Sequence, residues 1–305
     1  MVMTKRSARQ AALRPIVSAY MNLDGVAGTA LWTAAARARE SLRADRLFDD
    51  PFADDLAGAE GTALLARFHT AKAAPEGNPF LAIRTRWFDD FVRSAVTAGD
   101  QVVGLGAGLD TRAHRLPWPA DVAVYELDHE AVLVHKRRTL RRLGARPRCA
   151  WRPVAVDLSG EWPKELHRAG FDPARRTVWF AEGLLFYLPE ETAGTVLHQA
   201  AGVSAPGSVL AADLIGTAVF HLPYTRSFLR SLETAGSPWR FGTDNPVEFI
   251  ERFGWRVTQA TEPGRAEANY GRWPADAAPT NISGLPRSHL LAASVDRDGR
   301  NPCRI

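Results

Sequence analysis

Cysteine is scarce in this sequence, with only Cys149 and Cys303 among 305 residues. Two cysteines cannot build a disulfide framework, so we expect a reducing compartment, the cytoplasm. No Cys-x-x-Cys pair is present, although such pairs are typical of structural zinc sites. We therefore expect no metal.

Long apolar runs are missing as well, since none approaches the roughly 20 residues that span a bilayer. Residues 1–10 are polar and basic, and they lack the apolar stretch of a secretory signal. These two absences predict a chain without a membrane partner.

Acidic residues are slightly fewer than basic residues, 34 against 38, so the formal net charge is +4. A basic balance can indicate nucleic-acid binding, but here the basic residues are scattered along the chain. The densest run, at 136–142, alternates with Leu133, Leu140 and Leu143 in a predicted helix. This pattern is typical of a solvated helix face and favours no nucleic-acid partner.

Short apolar runs that end in turn or acidic residues alternate with helical stretches. Strands are predicted at Gln101–Ala107, Asp121–Asp128, Arg152–Asp157, Thr177–Gly183, Ser208–Ile215, Trp255–Thr261 and His289–Val295. Helices are predicted at Thr111–Leu116, His129–Leu143, Lys164–Ala169 and Glu190–Val203. The alternation favours an α/β fold with a mainly parallel, doubly wound sheet, whose functional sites lie at the carboxyl ends of the strands.

The whole chain is interpreted as a single domain with additions to this core. The predicted division is an N-terminal helical extension at 1–80, a ligand-binding core at 81–215, an inserted cap at 216–287, and a last strand with a tail at 288–305. The inserted segment is rich in aromatic residues, proline and glycine, and segments of this length commonly cover a substrate. Its aromatic side chains could alternatively fill a subsidiary core. Helices are predicted at Leu81–Thr97, His221–Thr234 and Pro246–Phe253.

The first strand ends in a glycine turn at Gly106-Ala107-Gly108. Glycine tolerates positive φ and lets the backbone approach a ligand closely. The dinucleotide fingerprint G-x-G-x-x-G would need a third glycine at 109 or 111, where Leu109 and Thr111 stand. The turn therefore fits a ligand without phosphate, such as the amino-acid end of S-adenosylmethionine.

The second strand ends on acids, Glu126 and Asp128, about 20 residues after the glycine turn. A carboxylate at this place can accept from both ribose hydroxyls of a nucleoside. Strand alternation puts the two acids on the same side, and Asp128 is nearer the carboxyl edge. A single acid at a strand end is commonly a helix cap, but together with the glycine turn it favours a ligand role for Asp128.

Several motifs together resemble the leucine carboxyl methyltransferase family, and more narrowly its bacterial branch of S-adenosylmethionine-dependent O-methyltransferases, some of which act on polyketides. They are VVGLGAGLDTRA at 102–113, YELD at 125–128, AVDL at 155–158, WFAEGLLFYL at 179–188, RARES at 37–41, LFDDPFA at 47–53 and RTRWFDDFV at 84–92. The resemblance implies a Rossmann-like class I methyltransferase fold. Such a fold has about seven strands, mostly parallel, with helices on both faces and the last strand antiparallel and inserted.

The resemblance also implies how S-adenosylmethionine would be held. The implied cofactor residues are Gly106, Ala107 and Gly108 at the methionine portion, Asp128 at the ribose, Asp157 and Leu158 at the adenine, Arg84 or Arg86 and Arg39 at the methionine carboxylate, and Glu182 near the ammonium. Alternatively, Asp157 caps the next helix, Arg84 is a surface residue, and Arg39 pairs with a neighbouring acid.

The acceptor implied by the resemblance is a carboxylate or phenolic hydroxyl of a small metabolite. A carboxylate is already ionised, whereas a phenol needs a base. His114, His221 and His289 are the candidate bases, although none earns a catalytic assignment. Tyr187 either lines the acceptor pocket or packs in the sheet.

Three alternative functions stay open: a nicotinamide-dependent oxidoreductase, a non-catalytic nucleoside-binding protein, and a methyltransferase of protein C-terminal carboxylates. The missing third glycine argues against the first. We expect a monomer or a weak homodimer.

Overall fold

The protein is described from a computed structural model that covers residues 26–68, 79–273 and 284–295. Its centre is a seven-stranded sheet with the order β3-β2-β1-β4-β5-β7-β6. The strands are β1 Gln101–Leu105, β2 Ala123–Asp128, β3 Ala150–Ala155, β4 Thr177–Ala181, β5 Val209–Ile215, β6 Trp255–Thr261 and β7 Ser288–Val295. β1 to β5 run parallel, while β7 is antiparallel to both β5 and β6. The predicted α/β fold, with its inserted antiparallel last strand, is confirmed.

Helices cover both faces of this sheet. They are α1 Val26–Ser41, α2 Ala53–Phe68 (broken at Gly58), α3 Phe80–Ala95, α4 Arg112–Arg115, α5 Glu130–Arg142, α6 Trp162–Arg168, α7 Glu190–Gly202, α8 Arg226–Thr234 and α9 Pro246–Glu251. The predicted helix at His221–Thr234 is wrong in its first turn, because α8 begins only at Arg226. Pro223 disfavours the helical backbone conformation at the residue before it, Leu222, so a helix cannot readily begin at His221. Residues 1–25 of the predicted extension and residues 296–305 of the predicted tail lie outside the described residues.

Alternating side chains of the central strands pack into two apolar layers. On one face Val103, Tyr125 and Trp179 pack with residues of α6, α7 and α9, such as Trp162. On the other face Val102, Val124 and Val178 pack with α3, whose Phe88 is fully buried. Because both faces are covered, β1 and β4 are buried along their whole length, which explains their continuous apolar sequences.

The topology places a crevice beside β1. The chain builds β1, β2 and β3 in one direction, and then returns to add β4 on the other side of β1. The loops that follow β1 and β4 therefore diverge at the carboxyl edge of the sheet, and in open α/β sheets ligands bind in such a crevice.

Candidate functional site

A cavity of about 510 Å³ opens at this carboxyl edge. Its volume is in the range of small-molecule sites. Its walls are the loops after β1, β2, β3 and β4, one face of α1, and aromatic side chains of residues 219–239. Segments that carry the sequence motifs therefore meet at this cavity.

The glycine turn forms the floor of the cavity. Gly106 and Gly108 have φ of 59° and 51°, in the left-handed region. A Cβ at 106 would lie 2.7 Å from Leu184 Cδ1, so only glycine fits there. Ala107 donates its N–H to the Leu127 carbonyl at 3.0 Å, which ties the turn to β2.

Asp128 stands at the cavity wall next to this turn. Its Oδ2 accepts the Gly108 N–H at 2.6 Å, and its Oδ1 accepts the His129 N–H at 2.7 Å. A carboxylate oxygen can accept a second hydrogen bond, so both oxygens retain acceptor capacity toward the cavity. Glu126 is occupied elsewhere, because it is fully buried against Lys136 Nζ at 2.6 Å.

A cation and an anion lie side by side on the opposite wall. Arg84 Nε is 3.2 Å from Glu182 Oε1, and both residues line the cavity. Burial alone would raise the pKa of Glu182, but Arg112 and Arg84 together lower it below its ordinary value. The pair is therefore ionised at neutral pH and complements the carboxylate and ammonium of an amino acid.

Further charged side chains extend this wall, and Asp110, Arg112 and Arg115 line the cavity as well. Arg112 NH1 is 2.8 Å from Glu182 Oε2, and its Nε is 2.7 Å from Asp89 Oδ1. Arg112 also pairs with Asp110, and Arg115 NH1 is 2.6 Å from Asp89 Oδ2. Sequence reasoning missed this network, although Asp110 and Arg112 belong to the motif LGAGLDTRA and Asp89 to RTRWFDDFV, because most of the pairs join separate elements.

The structure does not bring Arg39 or Arg86 to the cavity. Each stands two residues, about 200° of helical rotation, from an arginine that does line it. On α1 that arginine is Arg37, which donates to Asp50 Oδ2 at 2.8 Å and to the Leu109 carbonyl at 2.6 Å. On α3 it is Arg84, whereas Arg86 donates to Asp90 at 2.9 Å and is half-exposed.

Asp157 and Leu158 line the cavity beyond β3. Asp157 Oδ1 accepts from the Ser159 hydroxyl at 2.7 Å and from the Ser159 N–H at 2.9 Å. These two hydrogen bonds lower the pKa of Asp157. Asp157 thus stabilises the following turn while its side chain borders the cavity.

Aromatic side chains from three segments close the other end of the cavity. Ring centroids are 6.1 Å apart for Trp32 and Phe228, 5.1 Å for Phe228 and Trp239, and 4.8 Å for Trp239 and Phe186. We call these four residues the aromatic row. Buried Tyr187 packs beside the row and also lines the cavity.

The three histidines considered from the sequence do not line the cavity. His114 lies between Phe52 and Trp151, where burial lowers its pKa to about 4. His289 Nδ1 is 3.8 Å from Glu262, and His221 is exposed. In the described segments there is no group of His, Cys, Asp and Glu suited to a metal ion. No helix within those segments has the length and apolarity to cross a bilayer.

The chain is similar in sequence to known proteins. The sequence profile of the leucine carboxyl methyltransferase family matches residues 30–201. A Mycolicibacterium gilvum protein named "Putative S-adenosyl-L-methionine-dependent methyltransferase" is 39% identical over 283 residues, which cover 86% of this chain and 92% of that protein.

Two solved structures are similar in fold. A DUF574 family protein from Streptomyces avermitilis has a TM-score of 0.56 and 14% identity, covering 83% of this chain and 97% of its own. A "putative methyltransferase" from Thermobifida fusca has a TM-score of 0.55 and 19% identity, covering 90% of this chain and 95% of its own. At these identities the likeness concerns the fold alone.

Proposed function

The chain belongs to the leucine carboxyl methyltransferase family, and we propose that it transfers a methyl group from S-adenosylmethionine to an oxygen atom of a small metabolite. The family and its mycobacterial relative make the chain an S-adenosylmethionine-dependent methyltransferase. The cofactor assignment is carried by one cavity that holds Asp128 on one wall and the Arg84–Glu182 pair on another, and the aromatic row in the same cavity supports a small-molecule acceptor.

The amino-acid end of the cofactor fits the charged wall. In this proposal Arg84 binds the methionine carboxylate and Glu182 binds the ammonium, while the turn around Ala107 contacts the methionine chain. Arg37 takes the second basic role at the carboxylate in place of Arg39, because it lines the cavity.

The nucleoside end fits the opposite wall. We assign the ribose hydroxyls to Asp128, whose oxygens are already oriented by two backbone N–H groups. The adenine is assigned to Asp157 and to the backbone of Leu158, a buried residue of the same wall. This arrangement leaves the aromatic row for the acceptor.

When bound, S-adenosylmethionine supplies an electrophilic methyl group on its sulfonium. The chain's own contribution is to align the two reactants and exclude water, and proximity of this kind can supply most of the rate. α1 lies across the cavity through Thr29, Thr33 and Arg37, and the aromatic row closes the acceptor end. No covalent intermediate on the protein is needed.

The acceptor end favours an oxygen that is already ionised. Arg287 lines the cavity, and the ring contacts described for the aromatic row include no histidine. Burial raises the pKa of Tyr187, so its phenol stays protonated at neutral pH. A carboxylate on an aromatic or polyketide-like metabolite fits this environment, and a phenol is the second choice. We propose that residues 216–287 act as the cap that binds it.

Calorimetry with S-adenosylmethionine, S-adenosylhomocysteine and NAD tests the cofactor assignment. We expect both sulfur compounds to bind and NAD not to bind, because residues 109 and 111 are not glycine. Binding of NAD alone would refute the proposal and favour the oxidoreductase. The variant D128A should lose cofactor binding, whereas E130A, which changes an exposed acid on α5, should keep it.

Incubation with methyl-labelled S-adenosylmethionine then tests the acceptor. The panel should contain aromatic carboxylic acids, matched phenols, and a peptide with a free C-terminal carboxylate. Labelled esters of the aromatic acids would support the proposal. Label on the peptide alone would indicate a protein carboxyl methyltransferase, and binding without any labelled product would favour a non-catalytic nucleoside-binding protein.

A further inference from the structure

Asp213 lies directly behind the charged wall of the cavity. Its side chain is 1% exposed and belongs to β5, and the residue does not itself line the cavity. Its Oδ2 is 3.3 Å from Arg84 NH1, and its Oδ1 accepts the Gly183 N–H at 2.6 Å. One buried carboxylate thus holds two residues that face the ligand.

Stability alone does not explain a carboxylate at this position. Burial raises the pKa of Asp213 to about 6, although Arg84 and the Gly183 N–H counteract this effect. Removing a charge from water is costly, and apolar residues commonly replace buried ion pairs without loss of stability. Arg84 already has Glu182 as a partner at 3.2 Å. A second buried carboxylate is therefore explained better by the direction it imposes on the guanidinium.

Gly183 completes the arrangement. It has φ of 66°, and a Cβ built on it would lie 2.8 Å from Arg84 NH1. The guanidinium therefore lies against bare backbone, and the same backbone segment is held by Asp213. The Arg84 head group is fixed by Asp213, Gly183 and Glu182 on three sides.

We propose that Asp213 is a positioning residue that directs Arg84 toward the carboxylate of the methionine portion of the cofactor. The inference rests on the function proposed above. Asp213 acts only through Arg84 and Gly183, so its contribution concerns the amino-acid end of the ligand. The nucleoside end, at Asp128 and Asp157, is held by other loops.

The test compares two ligands on the variant D213N. Asparagine has nearly the same shape, and its amide oxygen can still accept from Gly183, but it cannot form the ion pair with Arg84. S-adenosylhomocysteine has the amino-acid end, whereas 5′-methylthioadenosine lacks it. We expect the Kd for S-adenosylhomocysteine to rise about ten- to a hundredfold, the size of one charge-assisted hydrogen bond. The Kd for 5′-methylthioadenosine should not change.

A matched control is D100N, which removes another buried carboxylate. Asp100 is 5% exposed, pairs with Arg176, and lies at the amino end of β1, away from the cavity. D100N should leave the affinity for both ligands unchanged. Equal weakening of both ligands in D213N, or unchanged affinity for S-adenosylhomocysteine, would overturn the inference. So would selective weakening of S-adenosylhomocysteine in D100N.

Two further results complete the design. If D213N does not fold, G183A provides a second variant, because its Cβ displaces the same guanidinium. We expect G183A to lose affinity for S-adenosylhomocysteine and to keep it for 5′-methylthioadenosine. Equal loss of affinity for both ligands would again refute the inference. Wild-type protein that binds neither ligand would instead refute the proposed function itself. The failure of the inference and the failure of the function are thereby distinguishable.

Discussion

At the scale of single residues, the direction in which an arginine points decides its chemistry. Arg37 reaches the Leu109 carbonyl in the loop after β1, whereas Arg39 stands on another side of α1. Both are present in the motif RARES, and both carry the same charge. Only the position around the helix separates the arginine that lines the cavity from the one that does not.

This difference leads to a paired prediction. R37A should weaken binding of S-adenosylhomocysteine about tenfold or more, because it removes a cation from the cavity and loosens α1 from the loop after β1. R39A removes the same charge from the same helix and should leave the affinity unchanged. Calorimetry on both variants provides the measurement. A greater loss of affinity in R39A than in R37A would assign the binding of the methionine carboxylate to Arg39.

At the scale of elements, the close approach of helices and strands depends on a few small residues. In α7, Gly194 packs under Phe253, and a Cβ built at 194 would lie 2.2 Å from the Phe253 ring. At Gly202, in the same helix, a Cβ would have no atom within 4 Å. The two glycines therefore have different reasons to be present.

We expect G194A to destabilise the protein by about 1–3 kcal/mol, because the partly buried Phe253 ring must give up its packing against the core. G202A should be neutral, or more stable by up to about 1 kcal/mol, since alanine is the better helix former. Urea unfolding of both variants measures the two free energies. A G194A variant as stable as the wild type would show that Phe253 can relocate freely.

At the scale of the whole molecule, buried groups make the stability depend on pH. Burial, followed by the charge of Lys136, lowers the pKa of His114 from 6.5 to about 4 in the folded protein. The unfolded chain therefore binds this proton first as the pH falls. His114 thus destabilises the fold progressively between pH 6.5 and about 4. The pKa of Asp213 is raised to about 6 in the folded protein, so here the folded chain binds the proton first, and Asp213 stabilises the fold as the pH falls.

The variant H114F separates the contribution of His114 to this pH dependence from that of Asp213. His114 Nδ1 has no hydrogen-bond partner, and the ring lies between Phe52 and Trp151, so H114F fits an apolar, aromatic surrounding. We expect the unfolding free energy of the wild type to fall relative to that of H114F as the pH decreases from 7.5 to 4.5. Urea unfolding at several pH values measures the difference. A difference independent of pH would mean that His114 already titrates as it does in the unfolded chain.

The architecture and the cofactor class follow from the amino-acid sequence alone. Central strands such as β1 and β4 are buried on both faces, which makes their apolar runs readable in the sequence. The edge strands β3 and β6 are largely exposed, yet all seven strands lie where they are predicted to within a few residues. The glycines at 106 and 108 were readable because positive φ is a local requirement.

Which charged groups share the site depends on the packing of segments that are distant in the sequence. Whether Arg37 or Arg39 faces the cavity depends on the rotation of α1 against the sheet, and that rotation is set by packing between distant segments. Asp213 stands 30 residues after Gly183 and 129 after Arg84, and no local pattern relates them. These residues are in contact because the parallel strands β4 and β5 end at the same edge of the sheet, where Arg84 of α3 packs against them.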